Sequence, residues 1–135
     1  MPDMWIGSRC LVLLLLACSG AGCSSTITRT DIIGHYDLKG FEAQPDSTSA
    51  DLKHEELDLL PDGSFRQICY FRSTSQAYTG SGSWSFSDKL TLHGLRNCSG
   101  LGPVADTFGP VVEGPPTMIL LHPDLSVYYR RRDPE

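Results

Sequence analysis

Leu57-Asp58-Leu59-Leu60-Pro61-Asp62-Gly63-Ser64-Phe65-Arg66-Gln67-Ile68-Cys69-Tyr70-Phe71-Arg72 decides the fold. Pro61 presets φ for a turn and Gly63 accepts φ > 0, so Pro61-Asp62-Gly63 joins two strands as a hairpin. After the turn the side chains alternate. Phe65, Cys69 and Phe71 share one face with Gln67 between them, and Arg66, Ile68, Tyr70 and Arg72 share the other. A period of two is that of a half-buried strand. Before the turn, Glu55 to Leu60 forms its partner.

The same grammar extends both ways. Upstream, Ile32, Gly34, Tyr36 and Leu38 alternate with His35 and Asp37 as a first strand, and the polar stretch 40–53 reads as a loop. Downstream, Ser73 to Gln76 turns the chain into a strand over Ala77–Phe86. Gly80 and Gly82 inside it predict a bulge or a sharp bend. Leu90 and Leu92 mark the next strand. Arg96 to Thr117 is rich in Gly and Pro, but a structureless loop this long is uncommon in a compact domain. A short strand is therefore placed at Pro110–Glu113, with Cys98 pinning the rest. Thr117–His122, a turn at Pro123-Asp124 and Ser126–Arg131 complete the pattern. About eight short antiparallel strands and no convincing amphipathic helix predict an all-β domain. An up-and-down barrel removes exposed edges; the spacing also permits a β-sandwich.

The start of the chain follows another logic. Arg9 precedes the apolar run Leu11–Ala17, and small residues and cysteines follow in Cys18-Ser19-Gly20-Ala21-Gly22-Cys23-Ser24. That order is a secretory signal peptide, and the run is far short of the ~20 residues a spanning helix needs. A cysteine after small residues resembles the bacterial lipoprotein signal, in which the new N-terminal cysteine is acylated. Cleavage before Cys23 leaves Cys69 and Cys98 as the other cysteines, a single possible pair. Cleavage before Cys18, the alternative, leaves an odd thiol. The expected organisation is a leader over residues 1–22, the acylated Cys23 with a tether to residue 31, and a β domain over 32–135. By the same resemblance, Ser24 after the acylated cysteine favours the outer membrane of a two-membrane cell. Export makes a Cys69–Cys98 disulfide the default.

The chain has a formal net charge of −5, and Asp3 and Arg9 in the leader cancel. A mildly acidic protein is a poor partner for nucleic acid. Acid concentrates in 42–62, and Arg130-Arg131-Arg132 is read as a solvated strand end.

Several elements together resemble the lipocalin-like domains of small bacterial lipoproteins. They are Gly34-His35-Tyr36, Leu57 to Phe65, Gly82-Ser83-Trp84-Ser85-Phe86, Leu90-Thr91-Leu92, Ile119-Leu120-Leu121 and Tyr128-Tyr129-Arg130. The resemblance implies a calycin-type barrel and covers most of the chain after Cys23. Tyr36 stands where the lipocalin signature has a tryptophan.

Catalytic patterns are missing from the sequence. No Gly-x-Ser-x-Gly elbow, P-loop or dinucleotide fingerprint occurs. His54-Glu55-Glu56 begins like a zincin helix, but Asp58 stands where the second histidine belongs. Glu55 and Glu56 should point to opposite faces of a strand, which is wrong for paired acid–base work. His35, His54, His93 and His122 are read as surface residues; His35 and His93 would share a metal only if their strands were neighbours. No catalytic residue, cofactor or metal site is assigned. The expectation is a non-catalytic envelope module that binds or inhibits another protein through the acidic 42–62 segment or the 99–117 loop. The alternatives are a carrier of a small apolar ligand, lined by Tyr36, Phe65, Phe71, Trp84, Phe86 and Tyr129, and a structural or assembly accessory of the envelope.

Overall fold

The computed structural model describes residues 26–43, 51–101, 111–114, 117–122, 124 and 126–132. The expected leader and both candidate lipidation cysteines, Cys18 and Cys23, lie outside the described residues, as do 44–50 and 102–110 of the two expected loops. Eight strands follow one another: β1 (Gly34–Lys39), β2 (Leu52–Leu59), β3 (Ser64–Phe71), β4 (Tyr78–Phe86), β5 (Leu90–His93), β6 (Val111–Glu113), β7 (Met118–His122) and β8 (Val127–Arg131). They form one antiparallel sheet in the order β5-β4-β3-β2-β1-β8-β7-β6. Because β1 pairs with both β2 and β8, the meander curls on itself into a nearly closed up-and-down barrel, not two stacked sheets. Only β5 and β6 are left as edges, and both are short, which limits their capacity to recruit foreign strands.

The deciding hairpin forms as its sequence implies. Gly63 N–H donates to Leu60 O at 3.1 Å, Leu60 N–H donates to Ser64 O at 2.9 Å, and Gly63 has φ +87°. This is a type I turn closed by a glycine bulge. Asp62 accepts from the Ser64 N–H at 2.8 Å and from its hydroxyl at 2.6 Å, locking the turn.

Of the bulge or sharp bend expected at Gly80 and Gly82, the bulge does not form. The β3–β4 pairing runs without a register shift from Ser64↔Ser83 to Cys69↔Tyr78, so Gly80 and Gly82 make no bulge. They are sites of close approach instead. A Cβ on Gly82 would lie 2.0 Å from the His93 carbonyl oxygen and 2.6 Å from the Phe65 ring. The bulges fall at Leu52/His54 in β2 and Leu120/His122 in β7.

Ile32, expected to open the first strand, closes a one-turn helix, α1 (Arg29–Ile32). Asp31 accepts from the Thr28 N–H at 2.7 Å and caps that turn. Here the last residues of the expected tether lie against the barrel. Arg29 stacks over Trp84 at 4.7 Å and donates to Pro61 O at 3.2 Å, and Ile32 O accepts from the buried Tyr36 hydroxyl at 2.5 Å.

The inward faces supply the core: Tyr36, Leu38, Leu52, Leu57, Leu59, Phe65, Cys69, Trp84, Leu90, Leu92, Ile119, Val127 and Tyr129 are all buried. Full burial of each large apolar side chain stabilises by about 1.5–3 kcal/mol relative to exposure. Leu95 and Leu101, after β5, join the same core.

Candidate functional site

The barrel interior holds a small polar group. Gln67 faces inward on β3 and is completely buried. Its amide donates to Arg96 O at 2.8 Å, and its carbonyl accepts from Arg96 N–H at 2.9 Å. One side chain thereby satisfies both backbone groups of a residue that no strand pairs, as a buried backbone requires. Two residues on along each segment, Cys69 and Cys98 form the expected disulfide. The segment after β5 therefore runs along the inner face of β3, with Arg96 stacked on Tyr78 at 4.3 Å.

Glu55, on β2, completes this group. It is 2% exposed and accepts from the Gln67 amide at 2.7 Å and from the Tyr129 hydroxyl. Burial pushes its carboxyl up from 4.5 to about 7, against the two hydrogen bonds that favour the charged form. Burial, and then the adjoining Glu55 charge, carry the Tyr129 hydroxyl well above its ordinary 10. Glu56, the next residue, is on the outer face. The expected divergence of Glu55 and Glu56 is thus what β2 builds.

The outer face of β1 and β2 carries a denser constellation. Opposite one another in register stand His35 and Asp58, then Asp37 and Glu56. The β2 bulge at Leu52/His54 lets Leu52 and Glu55 both face inward while His54 faces outward beside Glu56. His54 Nε2 lies 3.1 Å from Glu56 Oε1 and 3.3 Å from Asp37 Oδ1, and its ring stacks on Tyr70 with centroids 5.8 Å apart. Arg132 donates to Asp37 through Nη2 at 2.5 Å and Nε at 3.2 Å, and its Nη2 lies 3.5 Å from Glu56. Arg66 donates to Asp58 through Nη2 at 2.6 Å and Nε at 3.0 Å. Asp58 also accepts from His35 Nδ1–H.

Asp58 and Asp37 are held below the usual carboxylate range. Burial opposes ionisation of Asp58, but hydrogen bonds and charge from His35 and Arg66 hold it below its ordinary 3.8. Burial likewise opposes ionisation of Asp37, and Arg132, His54 and Lys39 overcome it. Since Asp58 is ionised, the proton of the His35–Asp58 bond sits on Nδ1, and Nε2 is the ring nitrogen turned away from it. That Nε2 is buried and without a hydrogen-bond partner; the nearest Glu56 oxygen is 4.0 Å away.

His93 does not reach this cluster. It lies on β5, separated from β1 by three strands. His35 and His54 instead both approach Glu56, with Nε2 atoms 4.0 Å and 3.1 Å from its carboxylate oxygens, a grouping that sequence reasoning missed. The available signal was two alternations, His35-x-Asp37 and His54-x-Glu56-x-Asp58, read as facing strands.

Other expected residues fall elsewhere. Arg131 and Arg132 are not a plain solvated strand end: Arg131 donates to Asp31 O at 2.9 Å, and Arg132 holds Asp37. Among the described residues of the acidic 42–62 stretch, most belong to β2 and the turn after it. Leu52 and Lys53 belong to the strand, and Asp51 accepts from Ser73 N–H at 2.8 Å. Of the aromatic set, Tyr36, Phe65, Trp84 and Tyr129 are buried, and Phe71 and Phe86 pack against them half-buried.

No family model matches the chain, and no curated protein or solved structure matches it either.

Proposed function

We propose that the chain is an exported lipoprotein, anchored through Cys23 to the cell envelope, whose barrel binds another envelope protein through its outside surface and catalyses nothing. One observation carries the choice between binding outside and carrying inside. Of the six residues that would line a ligand cavity, Tyr36, Phe65, Trp84 and Tyr129 are between 0% and 4% exposed, and Phe71 and Phe86 pack half-buried against the same core. A side chain flanking a ligand-sized void would expose surface to a water-sized probe. The inside is further occupied by the disulfide-bonded segment after β5 and by Glu55, whose partners are Gln67 and Tyr129. Recognition is left to the outside, where Leu60 and Tyr70 are the large exposed apolar residues among those described. The leader and Cys23 supply the tether by resemblance, and stable anchoring takes two or more acyl chains at about 0.8 kcal/mol per buried CH₂.

The full chain, with its own leader, is expressed in a two-membrane bacterium with a photo-crosslinking residue at Leu60 or at Tyr70. Crosslinking of one envelope protein from these positions supports the proposal. A protein extracted with a non-covalent ligand of a few hundred daltons and no protein crosslink makes it a carrier. The anchor is tested separately. Cys23→Ser should lose labelled acyl chain and membrane partitioning; retention of both moves the anchor to Cys18.

A further inference from the structure

We propose that the outer face of β1 and β2 binds a divalent transition-metal ion through His35 Nε2, His54 Nε2 and the carboxylates of Asp37 and Glu56. This goes beyond the envelope-binding role and does not depend on it. One ligand atom each from His35, Asp37 and Glu56 lie within 4.8 Å of one another. His54 Nε2 stands outside that group of three but lies 3.1 Å from Glu56 Oε1 and 3.3 Å from Asp37 Oδ1, close enough to join as a fourth donor. Ligand atoms around a tetrahedral zinc sit about 3.4 Å apart, given bonds near 2.1 Å. Closing on an ion would take rotation of the His35 and His54 side chains toward their shared neighbours Asp37 and Glu56.

The ion-pair network alone leaves one feature without a reason. A ring nitrogen buried without a hydrogen-bond partner gives up hydration that nothing replaces, and His35 Nε2 is one. The nearest Glu56 oxygen is 4.0 Å away, beyond hydrogen-bond reach. A cation between them turns that loss into a bond.

The supporting groups have the form that metal sites use. A ligating histidine commonly donates its other N–H to a carboxylate, which fixes the tautomer and strengthens the ligand. Here His35 Nδ1–H donates to Asp58, and Arg66 grips Asp58 through two nitrogens. The Tyr70 ring against His54 orients the second imidazole.

Donor type selects the ion. Two imidazoles suit zinc, copper, nickel or iron, whereas calcium and magnesium prefer all-oxygen sites. The charge also fits, since Asp37 and Glu56 offset a dication. Arg132 now performs that task, and its side chain is 47% exposed, so it can swing away. Access is open: the four ligand side chains are between 14% and 32% exposed.

The test is a calorimetric titration of the detergent-extracted full chain with ZnCl₂, with Co²⁺ absorption as a reading of coordination. One equivalent of Zn²⁺ should bind. His35→Gln and His54→Gln should each weaken it by about 100-fold or more, and Asp58→Asn, which touches no ion, by about 10–100-fold. His93→Gln should change nothing. Arg132→Gln should tighten binding by removing the competitor for both carboxylates, a gain that misfolding cannot mimic. Failure to bind Zn²⁺ overturns the proposal. So does affinity that survives both histidine substitutions, or that Arg132→Gln leaves unmoved or weakened.

Discussion

Replacing Glu55 by glutamine is expected to abolish a pH-dependent loss of stability of about 2.5 kcal/mol between pH 5 and pH 8. Folding raises the Glu55 carboxyl from 4.5 to about 7 because burial disfavours the charge. A raised carboxyl holds its proton more tightly in the folded chain than in the unfolded one. Its contribution to stability is therefore complete below 4.5 and is lost as pH rises through about 7. Asp37 and Asp58 work in the opposite sense: folded below their ordinary 3.8, they stabilise above it and lose that as pH falls. The two windows do not overlap, so a comparison of the native chain with Glu55→Gln isolates the buried group. Glutamine keeps the shape, and its carbonyl oxygen can accept from Gln67 and Tyr129 as the carboxyl does. The assay is urea denaturation at both pH values with the disulfide intact. The native chain should lose stability on going to pH 8 relative to the variant, with Glu55→Gln the more stable of the two there. A difference between the chains that is the same at both pH values to within about 0.5 kcal/mol would refute the reasoning.

Three further outcomes follow from single contacts. Cys69 and Cys98 are 29 residues apart, so replacing both by alanine should cost about 3.6 kcal/mol by the chain-entropy relation. That is roughly 15–25 °C in the melting temperature of a domain this size, read by calorimetry. Gly82→Ala places a methyl 2.0 Å from the His93 carbonyl oxygen, and should cost about 3 kcal/mol in urea denaturation through overpacking and lost β4–β5 pairing. Trp84→Phe removes the indole N–H that donates to Leu60 O at 2.9 Å; about 1 kcal/mol should go, with faster amide exchange in the 60–64 turn.

The fold was legible because its informative residues act locally. Pro61-Asp62-Gly63 prescribes its turn without reference to anything distant, and the alternation from Phe65 to Phe71 names the inner face. The closure of the barrel was legible only as an inference from strand number, since the β1–β8 pairing joins residues near opposite ends of the chain. Gly82 misled for a related reason. A glycine in a strand announces that something is near, but the Phe65 ring and the His93 carbonyl that require it become neighbours only after pairing. The outer cluster was legible only in halves: alternation puts His54, Glu56 and Asp58 on one face and His35 and Asp37 on another, but only the β1–β2 register sets His35 opposite Asp58 and Asp37 opposite Glu56. Gln67 between apolar neighbours was visible as an oddity, whereas its partner, the backbone of Arg96, belongs to a segment with no period to read.

The pleat of β2 also sets two unrelated chemistries on adjacent residues. Glu55 turns inward, where burial favours a protonated carboxyl against its two hydrogen bonds, and Glu56 turns outward to His54 and Arg132. The pleat points consecutive side chains to opposite faces of the sheet, so the two carboxylates communicate only through the backbone that carries both. Their independence can be measured. Glu55→Gln should leave the Zn²⁺ affinity of the full chain unchanged within about twofold, since additivity holds to about 0.5 kcal/mol for groups with no shared partner. A tenfold change would mean that the bulge at Leu52/His54 transmits the inner proton to the outer cluster. The two faces would then be one pH-dependent site, and the metal titration would have to be read at the protonation state of Glu55.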